Sequence, residues 1–222
     1  MISTFEELEK LFAELDKALD EKIHCYIIGG AVMLYHGLKA ATKDIDIVVN
    51  SQREFTAAEK TLKHIGFTTK IPTLEYKKVD LNQIFVRDDY RIDLFQRTVC
   101  KGFMLSEKMR ERAQKITALK NLTISLCSTT DILMFKTLTE REGDIDDCLL
   151  LAAKGVDWKA MLEEIQDQIK NAGHPVWITY IGERLDLLAE KKIVIPIMKE
   201  VDKLREEFYD YLEKKQTKKE QA

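Results

Sequence analysis

The sequence is short of the features that would class it quickly, and each shortage excludes something. Only three prolines and nine glycines occur in 222 residues. No Pro/Gly-rich linker therefore separates loosely tethered units. No run of 18 apolar residues occurs, so no membrane span is expected. Four cysteines, Cys25, Cys100, Cys127 and Cys148, are scattered without a CxxC pair. They read as reduced, mostly buried thiols of a cytoplasmic protein, not as a zinc site or a disulfide framework. His24, His36, His64 and His174 are isolated, without the spacing of metal ligands. The net charge of -3 exerts no global pull toward nucleic acid or anionic membrane. The first residues, MISTFEELEKLF, are acidic and helical in pattern, unlike a signal peptide.

What is present suits a folded, water-facing chain, with 45% apolar and 33% charged residues. Ser3 and Glu6 make a capping box before the helical spacing of Phe5, Leu8, Leu11, Phe12, Leu15 and Leu19. That first helix is expected to run to about Asp20. Ile23 to Ile28 reads as a strand ended by Gly29-Gly30. Ala31 to His36 reads as a short helix stopped by Gly37. Lys43 to Val49 reads as a strand, and Glu54 to Ile65 as an amphipathic helix closed by Gly66. Val79 to Val86 and Tyr90 to Gln96 read as a strand pair joined by an Arg87-Asp88-Asp89 turn. Met104 to Ala113 is expected to be helical and Leu122 to Leu126 a strand. From Thr130 the pattern is helical throughout: a helix carrying Ile132, Phe135 and Lys136, a break at Gly143, and a helix from Asp146 to Ala153 capped by Asp144. Further helices are expected over Trp158–Asn171, Val176–Glu190 and Pro196–Lys214, then a frayed charged tail. The expected fold is α+β: a mixed sheet flanked by helices over residues 1–125, and a helical bundle over 126–222 packed tightly against it.

The stretch Tyr26 to Asn50 carries the chemistry. Strand side chains alternate faces. Asp44 and Asp46 therefore point one way while Ile45 and Ile47 point into the core. Two carboxylates held together need a proton or a cation between them, and a divalent metal with oxygen ligands supplies it. Asp93 shares a strand face with Arg91 and Phe95. If that strand lies beside the first, the three aspartates converge. Such a set suits two divalent ions about 3.5–4 Å apart that bind a nucleoside triphosphate. Gly29-Gly30 between strand and helix lets backbone amides approach an anion.

The order G-G, then T-K-D-I-D-I-V-V, then R-I-D-L-F resembles the nucleotidyltransferase fold of the DNA polymerase β superfamily, and is most similar to the prokaryotic AbiEii-type branch, whose members include toxins. The resemblance covers about residues 23–153. It implies that Gly29 and Gly30 hold triphosphate and that Asp44 and Asp46 bind metal. Asp93 would be a metal ligand and the activator of the acceptor hydroxyl. Lys136, Arg141 and the Asp144-Ile145-Asp146-Asp147 segment stand where that branch has a helical lysine, an arginine and a D-x-x-D segment. Lys136 would pair with phosphate, and Asp144 or Asp147 would orient that lysine or the nucleotide. A surface lysine and a helix N-cap are the structural alternatives for Lys136 and Asp144. Two residues before Thr42, where many relatives carry arginine, stands Ala40; Lys39 or Lys43 would substitute for that arginine, without its bidentate fork, and Lys43 is counted among the nucleotide-binding residues.

The implied activity is Mg²⁺-dependent, with Mn²⁺ as the substitute ion. A nucleoside monophosphate moves from a triphosphate such as ATP to a hydroxyl on an RNA 3′ end, a protein or a small molecule. A cognate antitoxin is the partner implied by the toxin-related branch; no membrane is. The alternatives are a non-catalytic nucleotide- or partner-binding module on the same scaffold and a metal-dependent phosphohydrolase, although hydrolase sites usually bring histidine ligands. Tyr35 and His36 are candidates to line the nucleotide pocket. Lys101, Lys108, Arg110, Arg112, Lys115 and Lys120 form a basic cluster, read as a solvated face or a polyanion contact.

Overall fold

The computed structural model describes residues 1–72, 80–141 and 143–220. Helix α1 (Phe5–Ala18) buries Leu8, Leu11, Phe12 and Leu15, the stripe that its spacing announces. Its start lies one residue later than the capping box placed it. Thr4 is the N-cap, and Glu7 rather than Glu6 reaches back, accepting from the Ser3 amide at 3.3 Å and the Ser3 hydroxyl at 3.0 Å.

Strand β1 (Ile23–Ile28), helix α2 (Gly30–Tyr35), strand β2 (Ile45–Val49) and helix α3 (Gln52–His64) follow. Short β3 (Thr68–Lys70) precedes β4 (Gln83–Arg87) and β5 (Tyr90–Gln96). The strand expected from Val79 begins at Gln83 instead, and Val79 lies outside the described residues. Next come the small pair β6 (Thr98–Cys100) and β7 (Phe103–Met104), helix α4 (Glu107–Glu111), and strands β8 (Gln114–Ala118) and β9 (Leu122–Leu126). The Met104–Ala113 helix thus shrinks to five residues because Ser106 caps it late, accepting from the Met109 amide. The remaining elements are helical: α5 (Thr129–Thr137), α6 (Asp144–Lys154), α7 (Trp158–Ala172), α8 (Trp177–Glu190) and α9 (Met198–Glu220). Helix α9 continues to Glu220, into the tail expected to fray.

Seven strands form one mixed sheet in the order β3-β4-β5-β2-β1-β9-β8. The fold is α+β, with helices flanking this central sheet and helices following it. Alternation splits each central strand between two layers. Ile23, Cys25, Ile47, Leu94 and Ile124 face α1 and α3, packing on Phe12, Leu15 and Leu62. Ile28, Asp46, Asp93 and Phe95 face the other way, toward Ile132 and Phe135 of α5. Helix α5 is buried at every position from Thr130 to Thr137, so it has no solvent face on which to keep its lysine. Its start is a full capping box between Ser128 and Asp131.

The basic cluster splits on folding. Arg112 is an internal tie, paired with fully buried Asp131 and, at 3.1 Å, with buried Glu164 of α7. Lys101 lies 3.5 Å from the Tyr180 ring centroid and donates to the Leu138 carbonyl. These two belong to the packing between sheet and helices, which corrects their reading as a solvated face.

Candidate active site

The site is built by strand register. In the parallel β2–β5 pair Asp46 stands opposite Asp93, and in the antiparallel β1–β2 pair it stands opposite Ile28. One residue beyond Ile28 the chain turns at Gly29, whose φ is 68°. A Cβ there would overlap the Asp46 carboxylate, and one on Gly30 would come within 2.5 Å of the Thr42 hydroxyl. Both glycines therefore make room for the acidic strand itself. Thr42 donates to the Asp44 carbonyl at 3.0 Å and bridges to Ile2, which pins the loop entering β2. Asp44 sits just ahead of β2, in the loop residue before Ile45, rather than on the strand.

The three aspartates act on one another. Burial pushes the Asp46 carboxyl well above the usual carboxylate range, and the charges of Asp44 and then Asp93 push it further; Arg141 and Lys136 pull it back. Burial also raises Asp93, against the pull of Arg91. Arg91 grips Asp93 with both arms, Nε to Oδ1 and Nη2 to Oδ2, each at 2.7 Å. Sequence alternation put Arg91 and Asp93 on one face, but nothing in it announced a bidentate clamp.

Lys136 is no surface lysine. It is buried, and its ammonium lies 3.0 Å from Asp144 and 2.7 Å from Asp147. Burial alone would lower its pKa; the two carboxylates outweigh that and raise it. Asp144 is the first residue of α6 and Gly143 occupies the N-cap, so Asp144 is not the expected cap. Instead its carboxylate accepts from Lys136, from the Thr139 hydroxyl at 2.6 Å and from the Arg141 amide at 3.0 Å. Burial raises its pKa, but these partners win and hold it below the ordinary value. Asp147 takes a second lysine, Lys39, at 2.7 Å.

Two connected spaces result. An open cleft of about 460 Å³ is lined by Gly30, Lys43, Asp44, Asp46, Lys136 and Asp147, among others. Beside it a narrow slot of about 40 Å³ runs past Asp46 and Asp93 between Phe95, Val99 and Phe135. Asp46, Lys136 and Arg141 border both. Gly29, Gly30, Lys43, Asp44, Asp46, Asp93, Lys136, Asp144 and Asp147 therefore border one region, whereas Tyr35 and His36 do not line it: Tyr35 packs edge-on against Phe5 and His36. Lys39 joins the site through Asp147; the sequence offered it only as a substitute for the arginine that Ala40 replaces.

Among the described residues no three His, Cys, Asp or Glu side chains close around one point as a ready metal cage. The donor chemistry nevertheless fits a hard divalent cation. Asp44 and Asp46 offer carboxylate oxygen at the open cleft, and the crowding that raises the Asp46 pKa is relieved by a cation as well as by a proton. Asp93 adds carboxylate oxygen at the slot, and the one bond that each of its oxygens accepts from Arg91 leaves it further lone pairs.

The fold has a solved counterpart. The crystal structure of ANT(2'')-Ia in complex with adenylyl-2''-tobramycin aligns with a TM-score of 0.51 at 12% identity, covering 75% of this chain and 97% of that one. The solution structure of ANT(2'')-Ia aligns with a TM-score of 0.49 at 13% identity, covering 75% and 94%. The Thermotoga maritima protein TM1012 aligns with a TM-score of 0.40 at 15% identity, covering 58% and 80%. No curated protein matches the sequence significantly. Among the described residues no helix is long and apolar enough to cross a membrane. The profile of the family described as "Nucleotidyltransferase of unknown function (DUF6036)" matches residues 3–174, which takes in the whole sheet, the acidic strands and helices α5 to α7, and the chain belongs to that family.

Proposed function

We propose that this enzyme moves a nucleoside monophosphate from a nucleoside triphosphate to a hydroxyl acceptor, with Mg²⁺ held by Asp44 and Asp46. The observation that carries this reading is the register of Asp46 against Asp93, over a glycine that no other residue could replace without displacing the carboxylate. Bound there, a divalent ion would neutralise phosphate charge and hold the triphosphate against the acidic strand. Gly30, Lys43 and Lys136 border the open cleft and are positioned for the phosphates. Asp144 and Asp147 hold Lys136 charged and aimed. Asp93, at the slot, receives the proton of the acceptor hydroxyl. The hydroxyl oxygen then bonds to the α-phosphorus and pyrophosphate leaves.

The acceptor is an RNA 3′ end, a protein side chain or a small molecule. ANT(2'')-Ia, crystallised with an adenylylated aminoglycoside, is an example of the last class on a similar fold. A cognate antitoxin belongs to this proposal through the AbiEii-type motif order alone. A second reading, a nucleotide-binding module that transfers nothing, is favoured by the bidentate hold of Arg91 on Asp93. Incubation with each labelled triphosphate and Mg²⁺, on total RNA and on protein extract, separates the two. Transfer that disappears in Asp44→Ala and Asp46→Ala supports the first reading. Binding by calorimetry without transfer to any acceptor supports the second, and undiminished transfer in both variants refutes the mechanism.

A further inference from the structure

The cleft is crossed by one cation that has somewhere else to go. Lys39 comes from the loop between α2 and β2, and Asp147 from α6; their ion pair, 2.7 Å to Oδ1 and 2.8 Å to Oδ2, spans from the glycine-turn side to the helical side. Both residues line the cleft. Asp147 is nearly buried, with 7% of its side chain exposed, but Lys39 keeps 32%. Asp147 does not depend on Lys39 alone, because Lys136 lies 2.7 Å from its Oδ2, an oxygen that Lys39 also reaches. Lys136 in turn holds Asp144, which also has Arg141 Nε at 3.7 Å. If Lys39 leaves, Asp147, Asp144, Lys136 and Arg141 still balance in charge. Lys136 has no such freedom: it is buried between two carboxylates, and removing it would take the nearest cation from Asp144 and one of two from Asp147.

We infer that Lys39 is an exchangeable phosphate ligand: Asp147 holds it in the free enzyme, and an incoming triphosphate competes it away, breaking the tie across the cleft. This rests on the nucleotide reading above and adds which cation moves and what it leaves. A partly exposed ion pair is weak, whereas an ammonium on a triphosphate oxygen forms a charge-assisted bond to a group of higher charge. The exchange therefore runs toward the nucleotide. Asp147 acts as a built-in competitor that lowers affinity, so the site admits triphosphate only by displacing it.

The test is calorimetric titration of the full chain with ATP, GTP, CTP and UTP in Mg²⁺, with melting temperature as a folding control. Lys39→Ala should bind the preferred triphosphate roughly tenfold more weakly, the loss of one charge-assisted contact. Asp147→Asn should bind it several-fold more tightly, and that gain should vanish in the double variant. Equal affinity of Lys39→Ala and the parent overturns the inference while leaving the nucleotide reading intact. Tighter binding by Asp147→Asn that survives in the double variant also overturns it, because the freed cation would then be Lys136. No binding of any triphosphate by the parent chain sinks the nucleotide reading, and this inference with it.

Discussion

Replacing Asp46 by asparagine should make the protein more stable and inactive at once. Asp46 is caught between Asp44, Asp93 and the desolvating sheet, and its carboxyl is held well above the ordinary range. Asparagine keeps the shape and removes the charge. Between the ordinary carboxylate pKa of about 4 and the raised folded value, the folded chain holds a proton that the unfolded chain has released. Parent stability therefore falls as pH rises through that window, and the deficit is complete above it. The carboxyl borders the open cleft, so the relief is set at the low end for a buried charge, ~1–2 kcal/mol. For a chain of this length that is a melting temperature higher by about 2–8 °C at pH 8. The gap should shrink on acidification and close near pH 4. Mg²⁺ should erase it differently, raising the parent and not the variant, by ~1.4 kcal/mol at tenfold excess over Kd. Thermal melts at pH 4, 6 and 8, with and without Mg²⁺, read all of this. A variant less stable than the parent at pH 8 without metal would refute the reasoning, as would a gap that ignores pH.

Three further outcomes are expected. Arg91→Gln leaves Asp93 without its guanidinium, so denaturant melts at pH 7 should lose ~1–3 kcal/mol; the loss should fade as Asp93 protonates on acidification, and a pH-independent loss would mean packing rather than charge. Gly29→Ala adds a Cβ against Asp46 at a φ of 68°. It should cost ~1–3 kcal/mol and abolish the Mg²⁺-dependent rise in melting temperature, whereas a normal Mg²⁺ response would show that the carboxylate does not depend on that glycine. Burial pushes the thiols of Cys25 and Cys148 up to about 12 and that of Cys100 up to about 11; a chromogenic disulfide at pH 8 should therefore label no cysteine in the native chain and all four after denaturation.

Local pattern reached a long way into this molecule. Alternation over Tyr90–Gln96 placed Asp93 on the face it occupies, and the spacing of Leu8, Leu11, Phe12 and Leu15 gave the buried stripe of α1. Both periods follow from backbone geometry alone. The elements that escaped notice, β3, β6, β7 and β8, are two to five residues long. Stretches of two or three residues carry too few alternations to register, whereas β8, as long as β2 and β9, buries none of its residues and lies at an edge of the sheet.

The sequence by itself determined which side chains are the candidates for the proposed chemistry: two aspartates two residues apart, a third on a later strand, a glycine pair and a helical lysine. Only the tertiary structure decided how they stand toward one another. The β2–β5 register set Asp46 beside Asp93, the turn at Gly29 cleared space for a carboxylate, and the burial of α5 drove Lys136 between Asp144 and Asp147. Lys39 on Asp147, from segments far apart in the chain, was likewise beyond any local reading, and alternation brought Arg91 and Asp93 to one face without announcing the clamp between them. The physical reason is that periodicity reports which face a residue takes, whereas a charge pair depends on distance and desolvation, which exist only once separate segments have packed.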